Sequence, residues 1–226
     1  MNLSRLAVDQ WSGFAFPISA MTRYDGDHGD GRLIASFMIN LAPAGPALTI
    51  PTITTDRLRL RGHTEEDLEH SAAMWADPWV VRFIGNRPRS REETWARLLK
   101  YVGHWSLKGF GFWLVEEKVT GSFVGEVGFA DHKRDVAPSL HGIPEIGWAL
   151  TPEKQGRGYA TEAVKAAIAW SDEHSIPQTV CIIHPDNTPS IRIAESNGYV
   201  ISSAIDHKEH PAIIFRRVPA LPVPEA

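Results

Sequence analysis

A strand, a turn, a loop with two glycines and a long helix follow one another without interruption in residues 145–174. EIGWAL reads as the strand, TPEK as the turn and QGRG as the loop. From Gly158 onward, Ala160, Ala163, Val164, Ala167 and Ile168 recur at helical spacing and form a wide apolar stripe, so the helix is expected to be deeply packed. A chain built this way must set a helix N-terminus at the end of a sheet. Gly156, Gly158 and Ala160 keep side chains clear there, and backbone N–H groups can point outward. Such an array at the positive end of a helix binds an anion, above all a phosphate. Arg157 adds a charge that can reach a phosphate oxygen. Two phosphate folds are excluded. A nucleoside-triphosphate loop needs Lys-Ser/Thr after its last glycine, and Tyr159-Ala160 follow Gly158. A dinucleotide fingerprint needs a third glycine inside a parallel βαβ unit, and Thr161 stands in its place. A glycine-tolerant helix start without a ligand is the competing reading.

The flanking segments fit a sheet around this unit. Residues 54–61 alternate Leu58 and Leu60 with arginines, which predicts a half-buried strand. Thr64, with Asp67 three residues on, opens a helix carrying Leu68, Ala72 and Trp75 inward and ending near Asp77-Pro78. Ser90 with Glu93 opens another, with Trp95, Leu98, Leu99 and Val102 on one side. Residues 110–116 and 122–130 read as an antiparallel hairpin. The polar loop 131–142 leads into the strand that begins the central unit. Residues 179–183 are a short apolar run, hence a buried strand. Thr188 is expected to cap a short helix with Pro189 at its first position, ended by Asn197-Gly198. Strands over 199–205 and 212–216 complete an α+β domain with a mixed, mostly antiparallel twisted sheet flanked by helices.

Composition narrows the function. A chain of 226 residues, 43% hydrophobic and 22% charged, can bury a core without staples. A net charge of -4 offers no footprint for nucleic acid. One cysteine, Cys181, excludes an internal disulfide and Cys-rich zinc sites, so a reducing, cytoplasmic setting without metal is expected. The uncharged residues 33–55 are dense in apolar side chains only up to Ala42, and Pro43, Pro46 and Pro51 follow, so no membrane span is expected. Four aspartates precede that stretch, which argues against a signal peptide. Residues 1–50 hold few charges and no sustained period, and read as a loosely docked or disordered extension. Residues 51–217 form the domain, and 218–226 a Pro-rich tail. The piece YDGDHGDG at 24–31 puts Gly29 and Asp30 where a calcium loop from Asp25 needs a ligand and a glycine, so a mobile turn is expected.

With its neighbours, the glycine loop resembles a known family. Gln155-Gly156-Arg157-Gly158-Tyr159-Ala160 is similar to the Q/R-x-x-G-x-G/A loop of GNAT-superfamily acetyltransferases. Asn187-Thr188-Pro189-Ser190-Ile191, continuing to Glu195-Ser196-Asn197-Gly198-Tyr199, resembles their N-x-x-S … E-x-x-G-F/Y helix. Thr55-Asp56-Arg57-Leu58-Arg59-Leu60-Arg61 resembles the opening T-x-R-L-x-L-R of the RimJ/RimL-type branch. Asp77-Pro78 to Phe83-Ile84, Gly125-Glu126-Val127-Gly128 and Glu145-Ile146-Gly147-Trp148 fit that branch in order and spacing. The resemblance covers residues 53–216. It implies the GNAT-like acyl-CoA N-acyltransferase fold, acetyl-CoA as co-substrate, an amine as acceptor, and homodimers as a common assembly. It places the pyrophosphate on the backbone of Gln155, Gly156, Arg157, Gly158, Tyr159, Ala160 and Thr161. The pantetheine arm would lie where two strands splay, along Trp148, Ala149 and Leu150, with Asn187 opposite. Gly147 would let a backbone come close on that strand.

The reaction needs a neutral amine, and an α-amine with a pKa of about 8 yields its proton more easily than a lysine at about 10.4. A carboxylate can take the proton, a strand N–H can hold the oxyanion, and a hydroxyl can protonate the leaving thiolate. Glu145 and Glu126, on adjacent strands, are the candidate bases, and each could instead be a solvated or ion-paired strand carboxylate. Many members place a tyrosine one position before the helix glutamate, where this chain has Ala194. Ser190 is then the candidate hydroxyl, against its reading as a first-turn helix serine. By resemblance, Trp75, Trp79, Phe83 and the loop 131–142 border the acceptor, while His132 and His141 read as surface residues. The acceptor is a protein or peptide α-amine or a small-molecule amine. The alternative is a non-catalytic acyl-CoA-binding module, supported by the missing tyrosine.

Overall fold

The computed structural model describes residues 48–207 and 210–218. The chain divides into two units, Met1–Ala44 and Gly45–Ala226, and the described residues belong to the second. The expectations for the extension, its turn at 24–31 and most of the tail lie outside the described residues.

Eight strands form one sheet: β1 (Ile53–Thr54), β2 (Leu58–Arg61), β3 (Phe112–Glu117), β4 (Phe123–Ala130), β5 (Glu145–Leu150), β6 (Thr179–Ile183), β7 (Val200–His207) and β8 (His210–Arg217). Their order is β1-β2-β3-β4-β5-β6-β8-β7, and every neighbouring pair is antiparallel except β5 with β6. The helices are α1 (Leu68–Ala76), α2 (Pro78–Val81), α3 (Arg91–Lys108), α4 (Tyr159–Glu173) and α5 (Thr188–Ser196). The expected α+β class and mixed sheet are observed.

Three local expectations change. The single strand over 54–61 is a tight hairpin of β1 and β2. Thr55 makes the turn: its N–H donates to the Leu58 carbonyl at 2.9 Å and its Oγ1 accepts from the Leu58 N–H at 3.0 Å. The inner face of α3 is Thr94, Leu98, Tyr101 and Trp105, whereas Leu99 is 52% exposed. That i, i+4, i+7, i+11 spacing was present in the sequence and places an aromatic pair against the sheet. Asn187, not Thr188, caps α5. Its side chain accepts from the Ser190 N–H, while Thr188 is already helical. The capping box of Ser90 and Glu93 on α3 is as expected.

α4 packs its small-residue stripe, Ala163, Val164 and Ala167, on one face of the sheet against Trp113, Val127, Phe129 and Ile146. The other face meets Met74 and Trp75 of α1 at Ala149, and Tyr101 of α3 at Phe112 and Ala130. The feature that positions the site is the parallel pair. β5 and β6 share one register pair, Glu145 with Val180, and the Val180 N–H donates to the Pro144 carbonyl at 3.0 Å. Beyond it β6 turns its ladder wholly to β8. The edge of β5 from Ile146 to Leu150 is therefore left without a strand partner on that side.

Candidate active site

The loop after β5 has the backbone of an anion cradle. Gly156 and Gly158 sit at φ +72° and +77°, a region that L side chains enter at a cost of about 1–2 kcal/mol. The first hydrogen bond of α4 runs from the Glu162 N–H to the Gly158 carbonyl at 3.1 Å. The amides from Gly156 to Thr161 have no backbone acceptor among the described residues, as the first turn of a helix requires. Side chains hold the cradle in place. Gln155 Nε2 donates to the Leu150 carbonyl at 2.9 Å, and its Oε1 accepts from Trp79 Nε1 at 3.3 Å. Glu162 accepts from Thr55 Oγ1 at 2.6 Å, from the Arg57 N–H at 2.9 Å and from Arg57 Nε at 2.7 Å. Burial works to raise the Glu162 carboxyl, and these donors outweigh it, leaving it below its usual range. Arg57 Nη1 also donates to the Arg157 carbonyl at 2.9 Å. The Arg157 side chain is exposed, beside the open amides.

A cleft of about 680 Å³ is lined by both diverging strands, Glu145 through Ala149 on β5 and Cys181 through Ile183 on β6. Asn187 and Ser190, at the start of α5, face into the same space, as do Glu126 of β4 and Trp148 and Ala149 of β5. The structure thus gathers Trp148, Ala149 and Asn187 of the expected arm contacts, and all three candidate catalytic residues, at one cleft. Leu150 and the loop 155–161 stand past its end, where β5 runs out. Trp75 and Phe83 line it as expected. Trp79 does not: it is 56% exposed, with the Arg82 guanidinium 3.5 Å over its ring. His132, expected at the surface, lines the cleft beside Arg134, while His141 is exposed. Gly147 makes room for a ring rather than a backbone, since a Cβ there would lie 3.1 Å from Phe112 Cζ. Ala194 is wholly buried in the core, as is Tyr199, whose hydroxyl pairs with Thr179 Oγ1 at 2.6 Å.

The two carboxylates differ in their partners. Both oxygens of Glu145 are taken by Arg134, at 2.6 Å from Nε and 2.8 Å from Nη2. Glu126 is 0% exposed and accepts from Ser71 Oγ at 2.8 Å, Trp75 Nε1 at 3.0 Å and Tyr101 OH at 3.0 Å. His63 Nε2 stands 3.7 Å from its Oε1, beyond hydrogen-bond reach, and neither ring nitrogen of His63 has a hydrogen-bond partner among the described residues. Burial works to raise the Glu126 carboxyl, and His63, Ser71 and the Arg97 charge outweigh it, so the group stays ionised. Burial and that carboxylate push Tyr101 up, which keeps its phenol protonated as a donor. Arg97 Nη1 donates to the same phenol at 3.1 Å, and its guanidinium lies 4.0 Å over the Trp75 ring. Burial, with Lys100 and Arg134 close by, lowers His132 to about 3, so it is a neutral imidazole whose Nδ1 accepts from Lys100 Nζ at 2.9 Å. Ser190 Oγ has no hydrogen-bond partner among the described residues. Arg97, Tyr101 and Ser71 are site residues that the sequence reading did not single out. The Thr94-Leu98-Tyr101 spacing was the one signal for Tyr101. Among the described residues no group of three His, Cys, Asp or Glu side chains could hold a metal ion, and no helix is long and apolar enough to cross a membrane.

Residues 57–200 match the family model described as an acetyltransferase (GNAT) domain. The chain is 27% identical over 150 residues to the uncharacterized N-acetyltransferase p20 of Bacillus licheniformis, covering 66% of this chain and 82% of that protein. It superposes on the structure of a GnaT-family acetyltransferase from Bordetella pertussis with a TM-score of 0.67 and 29% identity, over 75% of this chain and 100% of the other. The ribosomal L7/L12 α-N-protein acetyltransferase RimL, solved with coenzyme A, shares the fold at 18% identity and a TM-score of 0.62, over 74% of this chain and 98% of that one. A splayed parallel pair ending in a glycine cradle, in a chain that matches this model over most of its length, belongs to the GNAT acetyltransferase family, and the protein is an acyltransferase.

Proposed function

We propose that this protein moves an acetyl group from acetyl-CoA to a primary amine by direct attack in a ternary complex. The acceptor is a protein or peptide α-amine, or a small-molecule amine. The observation that carries the reading is the unpaired edge of β5 running straight into free amides at the start of α4. The pyrophosphate fits over Gln155, Gly156, Arg157, Gly158, Tyr159, Ala160 and Thr161. The pantetheine arm fits along Trp148, Ala149 and Leu150, with Asn187 across the gap. The six ordered motifs and the shared fold support placement near the RimJ/RimL-type branch.

The proton steps follow from the partners. The cations of the cleft wall disfavour a charged amine and so help to present it neutral. On attack the nitrogen becomes cationic and far more acidic, so an ionised carboxylate of low basicity suffices to take its proton. We assign that step to Glu126, directly or by way of the Tyr101 hydroxyl. Both carboxylates have both oxygens occupied, and Glu145 is the weaker candidate because its partner is a guanidinium that cannot pass a proton on, whereas the donors on Glu126 are neutral and include the Tyr101 hydroxyl. A β5 N–H steadies the oxyanion, and Ser190 Oγ–H protonates the departing thiolate. A cytoplasmic setting and a homodimer accord with the lone, buried Cys181 and with the family. Thiol release from acetyl-CoA, followed over a panel of peptides and small amines, tests the reading. CoA binding without turnover on any acceptor would instead support a non-catalytic acyl-CoA-binding module.

A further inference from the structure

The cleft wall opposite β5 carries more positive charge than its own acids neutralise. Arg134 is spent on Glu145, and Glu93, also in the wall, is spent on Arg87. The remaining carboxylate of the lining is Glu126, which already accepts from three neutral donors. Against it stand Arg89 and Arg97, neither in an ion pair among the described residues. Arg89 Nη2 reaches the Ile84 carbonyl at 3.4 Å, and its Nε is buried without a partner. Arg97 makes one hydrogen bond, to Tyr101. A guanidinium carries five N–H donors and keeps its charge at any working pH, so each has donors left over for a ligand in the cleft, and Arg89 Nε is the one that is buried without a partner. Burial and the charges of Arg87 and Arg97 hold Arg89 below its ordinary value, against the pull of Glu93. Burial works to lower Arg97 as well, and Tyr101, Glu126 and Glu93 outweigh it, so Arg89 is the less compensated of the two. A cation held this way in a partly buried wall is costly alone, and an entering anion relieves it.

Their position sets the kind of anion. The Tyr101 hydroxyl accepts from Arg97 at 3.1 Å and donates to Glu126 at 3.0 Å. The nearest under-paired guanidinium is thus two hydrogen bonds from the carboxylate assigned to proton removal. An amine that reaches Glu126 while an anionic group rests on Arg97 must carry the two a few bonds apart. A carboxylate matches the fork of a guanidinium and binds it through two parallel hydrogen bonds.

We propose that the acceptor is a small amino acid-like zwitterion, its carboxylate docked on Arg97 and Arg89 and its amine turned toward Glu126. This rests on the N-acetyltransferase reading and names its substrate class. In the step, the ammonium of the zwitterion first gives one proton to solvent. The nitrogen lone pair then forms the bond to the acetyl carbon, and the carbon–sulfur bond breaks with its electrons on sulfur. A second nitrogen proton passes to Glu126 and the thiolate takes one from Ser190. Solvent returns the Glu126 proton to Ser190, so the products are an N-acetylated acid, CoA and one released proton.

The experiment compares thiol release with free amino acids, with the same amino acids as C-terminal amides, and with short neutral peptides. Wild type, Arg89→Gln and Arg97→Gln are assayed side by side. The expected result is a kcat/KM at least 100-fold higher for an accepted acid than for its amide. In either variant that preference should drop below tenfold, through the acceptor KM, with the acetyl-CoA KM unchanged. Equal use of acid and amide, or preference for neutral peptides, overturns the proposal. If no acceptor releases thiol, the transferase reading has failed, and calorimetric titration of the CoA-loaded protein with N-acetyl amino acids and their amides decides the subsite alone. Binding of the acids only, lost in Arg89→Gln, supports it, and equal binding of both overturns it. Arg89→Gln keeps the test open if Arg97→Gln, which removes the stack on Trp75, fails to fold.

Discussion

Replacing Glu126 by glutamine should separate its chemistry from its structural work. Three buried donors converge on its carboxylate: Ser71 Oγ on one oxygen, Trp75 Nε1 and Tyr101 OH on the other. Glutamine has the same shape and retains one carbonyl oxygen, which can take Trp75 and Tyr101 together. Its amide then faces Ser71, whose hydroxyl can accept from it but loses the acceptor for its own hydrogen. Trp75 and Tyr101 keep their acceptor, and what is lost is the charge assistance and the bond donated by Ser71, about 1–3 kcal/mol of stability in all. Leucine would orphan all three donors at about 1–3 kcal/mol each, a sum on the order of the whole stability of a domain. The pair therefore predicts a folded, slow Glu126→Gln protein and a Glu126→Leu protein that barely folds. A lost proton acceptor typically slows the chemical step by about 10²–10⁴. We expect kcat of the glutamine variant to fall at least 100-fold, with the KM for acetyl-CoA unchanged. Thiol release measures the rate, and urea unfolding measures the stability. A glutamine variant within threefold of wild-type kcat would remove Glu126 from the proton path. One as unstable as the leucine variant would show that the hydrogen-bond exchange at Ser71 does not occur.

The remaining predictions concern the cradle, the acid and pH. Gly158→Ala places a Cβ at φ +77°, 3.4 Å from Arg57 Nη2, and should cost about 1–2 kcal/mol of stability while weakening CoA at least tenfold by calorimetry; unaltered CoA affinity would sink the cradle assignment. Ser190→Ala should lower kcat about tenfold or more with CoA affinity retained; an unchanged kcat would mean that the thiolate leaves without that hydroxyl. His132 should show no NMR titration between pH 5 and 8, since it is held at about 3. Its depressed value also fixes a sign: between the unfolded value near 6.5 and about 3, the unfolded chain binds a proton that the folded chain refuses. Glu126, also lowered, acts the same way below the ordinary carboxylate range. Stability is therefore full above about pH 6.5 and falls on acidification, by up to about 1.4 kcal/mol per pH unit for each such group. Equal or greater resistance to urea at pH 5 than at pH 7 would contradict this.

Much of the fold was legible because its signals are local. Ser90 and Glu93 cap α3 within one turn, the alternation of Leu58 and Leu60 marks β2, and the small residues of α4 recur with the helical period. Where the reading slipped, two local rules competed. Thr55 could continue a strand or close a turn, and only the pairing of β1 on β2 selects the turn. Leu98 and Leu99 both suit an inner face, and the position of the sheet chooses Leu98. Asn187 and Thr188 both cap helices, and the path of the chain leaving β6 chooses Asn187.

The glycine loop and the family could be read from the chain alone, since a pair of closely spaced glycines and an ordered set of motifs are properties of neighbouring residues. It also offered a short set of side chains as candidates for proton transfer. The tertiary structure alone decided how those side chains are employed. Glu145 and Glu126 look alike on their strands, yet one is paired with Arg134 from the following loop and the other with donors from α1 and α3. That neither Arg89 nor Arg97 is in an ion pair among the described residues is likewise a property of what surrounds them in space. A side chain's charge and proton affinity depend on burial and on partners far along the chain, and no local pattern of residues records either.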